Sequence, residues 1–114
     1  MTIKNDDAMT GASPTAQRLY RRLLETLREI GPFREEIKKT SVHLVRRSAF
    51  VGVRLRRDYL DVTIKSEKPL GSSRCTKSEA VSKNRCHNAV KLHEEKDFDE
   101  ELLRWLRAAY DLCS

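Results

Sequence analysis

The residues best equipped for chemistry in this 114-residue chain are Arg54, Arg56, Arg57, Tyr59 and Lys65, with His87 and Lys91 further along. Guanidinium forks hold phosphate or carboxylate through paired hydrogen bonds, and a phenol ring offers a surface on which a base can stack. These seven residues form the candidate binding set for an anion or a nucleic acid. His43 and Thr63 would join them if they share a face. Asp58 and Asp61 lie among them and offset part of the charge.

Other chemistries find less support. The chain has three Cys and three His but no C-x2-C or H-x3-H pair, the spacings that structural zinc favours. Cys86 and His87 are adjacent, and neighbours on a strand point to opposite faces. No metal site and no cofactor is therefore expected. An odd number of cysteines at unrelated spacings argues for reduced thiols. Cys86 and Cys113 fit as small core residues, and Cys75 falls in a long loop. Glu36-Ile37-Lys38 matches the short E-x-K element of a nuclease family, but the strand-borne Asp that should precede it is missing. No Ser-His-Asp or Cys-His spacing is present, and the sequence leans against an enzyme.

The elements that must position the candidate residues can be read from periodicity. Phe50–Lys65 alternates with period two through a polar corner at Arg56–Tyr59 and out again. Val51, Val53 and Leu55 share one face with Leu60, Val62 and Ile64, which is the pattern of an antiparallel hairpin with one buried side. The wet side carries Arg54, Arg56, Tyr59, Asp61, Thr63 and Lys65. Strands are expected near 42–46, 50–56 and 59–65, with Val42 and Leu44 inward and His43 outward. Residues 33–39 hold a short strand or an extended lead-in. Arg85–Leu92 reads as a last strand, with Cys86, Asn88, Val90 and Leu92 on one side and His87, Ala89, Lys91 and His93 on the other. Between them, residues 66–84 contain Pro69, Gly71, Ser72 and Ser73 and read as a long loop, with a turn or strand hidden in Lys77–Ser82.

Two helices flank these strands. Ser13-Pro14 is an N-cap followed by a first-turn proline, and Ala16, Leu19, Tyr20, Leu23, Leu27 and Ile30 form one apolar stripe. Gly31-Pro32 ends that helix. Asp97, with Glu100 three residues on, is the expected N-cap of the last helix, whose stripe is Phe98, Leu102, Trp105, Leu106, Ala109 and Cys113. Residues 1–12 are polar and aperiodic and read as a disordered tail. The expected fold is thus α+β: a two-layer sandwich of helix, antiparallel sheet of four to five strands and helix, over residues 13–114. Both helices pack on one sheet face and leave the other open.

Charge is distributed unevenly along this order. Residues 34–93 hold 15 Lys/Arg against 6 Asp/Glu, whereas residues 94–114 hold 3 against 7. A basic, strand-rich middle suits a polyanion, and ordinary solubilising charge is the plainer alternative. No apolar run approaches the ~18 residues that a membrane span needs, and the first residues lack the pattern of a signal peptide. A cytoplasmic location with no membrane partner is the expectation.

One ordered set of positions has a familiar form. Leu19…Leu27-x-x-Ile30-Gly31-Pro32 is followed by Lys39-Thr40-Ser41-Val42, Phe50-Val51-Gly52-Val53 and Leu60-Asp61-Val62. It closes with His87-x-x-Val90-x-Leu92, Asp97-Phe98-Asp99-Glu100-Glu101-Leu102 and Trp105-Leu106-x-x-Ala109-Tyr110. From Ser13 to Leu112 the chain resembles the DUF5655 family, an uncharacterised single domain. The resemblance implies a module that occurs alone or behind other domains, some of them nuclease-like. The helix–sheet–helix order is also similar to frataxin-like and YdhG-like layouts. The acidic first helix of their iron-handling members has no counterpart here, where Glu25 and Glu29 stand among four arginines.

Two functional readings follow. The first is a non-enzymatic binding module whose basic open face takes an anionic partner, nucleic acid or an acidic protein. The second is a small-ligand or catalytic domain with a pocket between the 66–84 loop and the sheet, where His43 or His87 serves as acid or base. A scaffold acting through a partner protein is the third and plainest option. Oligomeric state is not encoded in any pattern recognised here.

Overall fold

A computed structural model describes residues 12–114. The expected tail falls outside the described residues except for Ala12, which packs against the core. Helix α1 (Pro14–Ile30) begins as its sequence dictates. The Ser13 hydroxyl accepts the Ala16 N–H at 3.0 Å, and Pro14 supplies no donor to be satisfied. The same hydroxyl donates to the Arg57 carbonyl, which ties the helix start to the tip of the central hairpin.

Six strands form one antiparallel sheet: β1 (Arg34–Ile37), β2 (Val42–Val45), β3 (Ala49–Leu55), β4 (Leu60–Ser66), β5 (Cys75–Ser82) and β6 (Arg85–Leu92). Their spatial order is β1-β2-β3-β4-β6-β5. The central hairpin β3–β4 pairs Val53 with Val62 and Leu55 with Leu60, so the alternating residues meet on one face. Val42 and Leu44 on β2 join that face, as do Asn88, Val90 and Leu92 on β6. After a 3-10 turn at Glu95–Asp97, helix α2 (Glu100–Leu112) returns beneath the sheet. Both helices touch β3 and β4 and each other, so they form one layer and leave the opposite face of the sheet uncovered. Leu23, Leu27, Leu102 and Leu106 are fully buried between the two layers.

The sheet has two more strands than its four periodic segments announce, one beyond the four to five expected. The segment at 33–39 is the edge strand β1. Half of the 66–84 stretch is the opposite edge strand β5, joined to β6 by the short turn Lys83-Asn84. Every residue of β5 after Cys75 is exposed, so no alternation exists to be read. Cys75 itself is half-buried at the head of a strand, not in an open loop, and Cys86 and Cys113 are buried thiols as expected.

Two caps also differ from expectation. Asp99, not Asp97, caps α2, its carboxylate accepting the Leu102 N–H at 3.0 Å. Asp97 instead accepts the N–H groups of His93 and Glu94 at 2.8 and 3.1 Å and holds the turn between β6 and α2. Gly31 does end α1, but its backbone is extended. The glycine is required by crowding: a Cβ there would run into the Tyr110 phenol, with Cζ at 2.8 Å.

One irregularity changes which side chains are inside. Between Leu44 and Val45 the β2–β3 register shifts, so Ala49 pairs with Val45 and Val51 with Leu44 while Phe50 is left over. Phe50 and Val51 are consecutive yet both are 1% exposed. The Phe50 ring meets Tyr110 edge-on at 5.3 Å and Phe33 at 6.2 Å, which places it in the helix-side core.

The β4–β5 connection, residues 67–74, is anchored on the helix side. Asn88 is fully buried, and both ends of its amide are engaged. Its nitrogen donates to the Ile64 carbonyl (2.9 Å) and to the Ser66 hydroxyl (2.8 Å). Its oxygen accepts from Leu70 N–H (3.2 Å) and Ser78 Oγ (2.8 Å). At the end of the connection Arg74 donates to both oxygens of Asp99 (2.8 and 3.0 Å), to Glu101 (3.2 Å) and to the Asp97 carbonyl (2.8 Å). Burial opposes the Arg74 charge, but these acceptors outweigh it and hold its pKa above the usual value.

Candidate functional site

Cross-strand pairing decides which candidate residues share the open face. On β3, β4 and β6, the row Arg54–Asp61–Lys91 runs across three strands. Two residues along lies the row His43–Gly52–Thr63–Ala89–Lys77, which extends to β2 and β5. Two residues further, Lys65 opposes His87, which opposes Glu79. Alternation puts all three rows on the side away from the helices. Arg54, Lys65, His87 and Lys91, with His43 and Thr63, are therefore brought together as the hydrophobic register requires.

The remaining candidates are placed less simply. Tyr59 precedes β4 and packs its ring on His93, centroids 5.0 Å apart, with the Lys91 ammonium 5.3 Å above it. This makes a second small cluster at the hairpin end of the face. Arg56 reaches Asp61 at 3.8 Å, so part of its charge is spent within the protein. Arg57 lies in the exposed turn and contributes its carbonyl to Ser13.

The middle of the face is a groove of about 400 Å³. Its floor is Gly52, Thr63 and Ala89, and its walls include Ser41, His43, Arg54, Asp61, Lys65 and His87. The depression exists because the floor side chains are small where their neighbours are long. A Cβ on Gly52 would lie 3.8 Å from Thr63 Cβ and 4.0 Å from His43 Cδ2, so the imidazole borders the β2 end of the floor. The His43 Nε2 lies 3.5 Å from the Ser41 hydroxyl.

The groove is basic in a usable way. Among the described residues no carboxylate lies within 4.0 Å of the Arg54, Lys65 or Lys91 side-chain nitrogens, whereas Arg56 and Lys77 do have acidic neighbours. Unpaired cations can turn to an incoming anion without first breaking an ion pair. Asp61 is the one acid in the groove wall, half-buried between the Arg54 and Lys91 strands.

The open-face groove does not lie between residues 66–84 and the sheet, where the alternative reading puts its pocket, and none of those residues lines it. Residues 67–74 attach to the helix-side layer through Asn88 and Arg74, and residues 75–82 are part of the sheet itself. Both histidines named for that reading do border a cavity, but it is the open-face groove. Glu36 of the E-x-K element sits on edge strand β1. Its carboxyl is held below the usual range by the hydrogen bond from Arg34, with Lys38 adding to the effect. Among the described residues no three His, Cys, Asp or Glu gather as a metal site would need. No helix among them is long and apolar enough to cross a membrane.

Gly52 and Ala89 were the residues that a search for reactive side chains passes over. Their only signal is size: they are small residues in one cross-strand row, one on each side of Thr63.

A family model described as a domain of unknown function, DUF5655, matches residues 5–113. No curated protein and no solved structure matches the chain.

Proposed function

The chain belongs to the DUF5655 family, and from that premise we propose that it is a binding domain whose open sheet face receives an anionic ligand in the Gly52–Thr63–Ala89 groove. One observation carries this reading: Arg54 and Lys65 flank a floor of small side chains, and neither has a carboxylate partner within 4.0 Å among the described residues. Phosphate and carboxylate are the groups that such a site recognises. Desolvating a cation that has no internal partner costs least when the ligand supplies the counter-charge.

The groove's volume also falls within the ~300–1,000 Å³ of small-ligand sites. A nucleotide-sized anion held between His43 and His87 is the second reading that this observation favours. Fluorescence anisotropy at 20 to 300 mM salt tests both, with labelled oligodeoxynucleotide, polyphosphate and polyglutamate as polyanion probes and a labelled mononucleotide as the small one. Binding that weakens with salt and is lost on replacing Arg54 and Lys65 together with Ala supports the proposal. Failure of every probe to bind at the lowest salt overturns it.

A further inference from the structure

We infer that the ligand of this face is a single-stranded nucleic acid laid across the strands, along the lane that runs from His43 over Gly52, Thr63 and Ala89 to Lys77. This rests on the anion-binding reading above and names the partner within it.

The lane's dimensions come from the register. His43, Gly52, Thr63, Ala89 and Lys77 are consecutive cross-strand partners on β2, β3, β4, β6 and β5. Four inter-strand steps make the lane about 19 Å long, and the cationic rows on its two sides, four residues apart along the strands, stand about 13 Å from one another. That width admits one nucleic-acid chain with phosphates toward Lys65 on one side and Arg54 and Lys91 on the other. A duplex is too wide to sit between the rows. The length accommodates about three to four extended nucleotides, near the low end of single-strand site sizes.

Asp61 decides between nucleic acid and an acidic protein. It lines the groove between two cationic side chains. Against a run of carboxylates it would only repel. Base edges carry amino donors, and a carboxylate in the wall can accept from them, as Asp and Glu do from cytosine N4. The His43 imidazole, whose Cδ2 borders Gly52, is an aromatic side chain on which a base can stack at one end of the floor.

The test is a length series of 5′-labelled oligodeoxycytidylates of two, four, six and eight residues at 50 mM salt, whose bases carry the N4 amino donor. An unlabelled dCMP competitor, an eight-base-pair duplex and polyglutamate accompany it. Affinity should rise at least tenfold from two to four residues and then level off, with duplex and polyglutamate at least tenfold weaker than the octamer. Lys77→Ala, at an exposed position on the far end of the lane, should weaken octamer binding roughly threefold. Dinucleotide binding should be unchanged. dCMP competing as well as the octamer overturns the chain-across-strands inference and leaves a small-anion site. Equal binding of polyglutamate or duplex also overturns it and leaves anion binding standing, as does indifference of the octamer to Lys77. If no probe binds, the anion-binding reading fails with it.

Discussion

Gly52 and Thr63 face each other across β3 and β4 on the open side of the sheet, and a Cβ on Gly52 would meet the Thr63 Cβ at 3.8 Å. That is ordinary contact distance, so sterics do not demand glycine at this position. Its φ is not positive either. What the missing side chain provides is the floor of the groove. Glycine inside a strand weakens it by roughly 0.5–1 kcal/mol relative to alanine, so an open floor is held at a cost in stability.

Gly52→Val should therefore fold at least as stably as the parent chain. A β-branched side chain suits a strand and would pack on Thr63. Thermal denaturation should give an unchanged or higher midpoint. A midpoint lowered by more than about 5 °C, the size of a 1 kcal/mol loss in a domain of this length, would mean that the glycine is structural after all.

Asn88 is predicted to be the most sensitive polar residue. Replacing it with Ala orphans the Leu70 N–H, takes one of the donors from the Ile64 carbonyl and loosens the Ser66 and Ser78 hydroxyls. The expected loss is about 2–4 kcal/mol, read from the urea midpoint at constant m-value. Because Asn88 fastens the connection to β5, hydrogen exchange in residues 67–82 should accelerate more than in α1.

Gly31 and Tyr110 should couple in a double-mutant cycle. Gly31→Ala drives a methyl into the phenol and should cost about 2 kcal/mol. Tyr110→Phe loses the hydrogen bond to the Pro32 carbonyl, 2.7 Å in the parent, for about 1 kcal/mol. Since the second change relieves part of the crowding that the first creates, the pair should cost less than the sum. Strict additivity in chemical denaturation would show that the two sites do not touch.

Acid should expose the α2 cap. The Leu102 N–H donated to Asp99 holds that carboxyl below its usual range, and Arg74 adds to the effect. A depressed carboxyl stabilises the fold above its unfolded value of about 3.9, and the contribution is lost as pH falls through the lower, folded value. Asp99→Asn keeps a capping oxygen and removes the charge. Its melting point should lie below the parent's at pH 7, and the gap should close as pH falls below about 4 and through the lowered folded value. A gap that persists at pH 2 would assign the loss to the amide's geometry and not to the charge.

The legibility of this fold in its sequence follows burial. β3, β4 and β6 each bury one side, and their alternation alone placed Arg54, Lys65, His87 and Lys91 on a common face. β5 buries almost nothing, so Thr76–Ser82 carries no period that would decide between a strand and a turn within the loop. Phe50 escapes a period-two reading because the bulge opposite Leu44 and Val45 turns it inward beside Val51. The expected cap at Asp97 is displaced to Asp99 because an Asp at either position can cap, and only the tertiary turn at Glu95–Asp97 decides between them. The groove was legible as a set of charges but not as a shape. Its shape depends on Gly52 and Ala89, which have no chemistry of their own, and on pairings between strands distant in sequence.

The groove itself is the central claim, and Gly52→Val probes it with the least disturbance. Salt-titrated anisotropy with a single-stranded octamer should give the parent chain a log–log slope of about −2, as expected for three phosphate contacts, and Lys65→Ala should reduce its magnitude by about 0.7. In the same measurement Gly52→Val, folded and with every cation in place, should bind at least tenfold more weakly because its side chain fills the floor. Parental affinity in the Gly52→Val protein would contradict the groove as the site of binding.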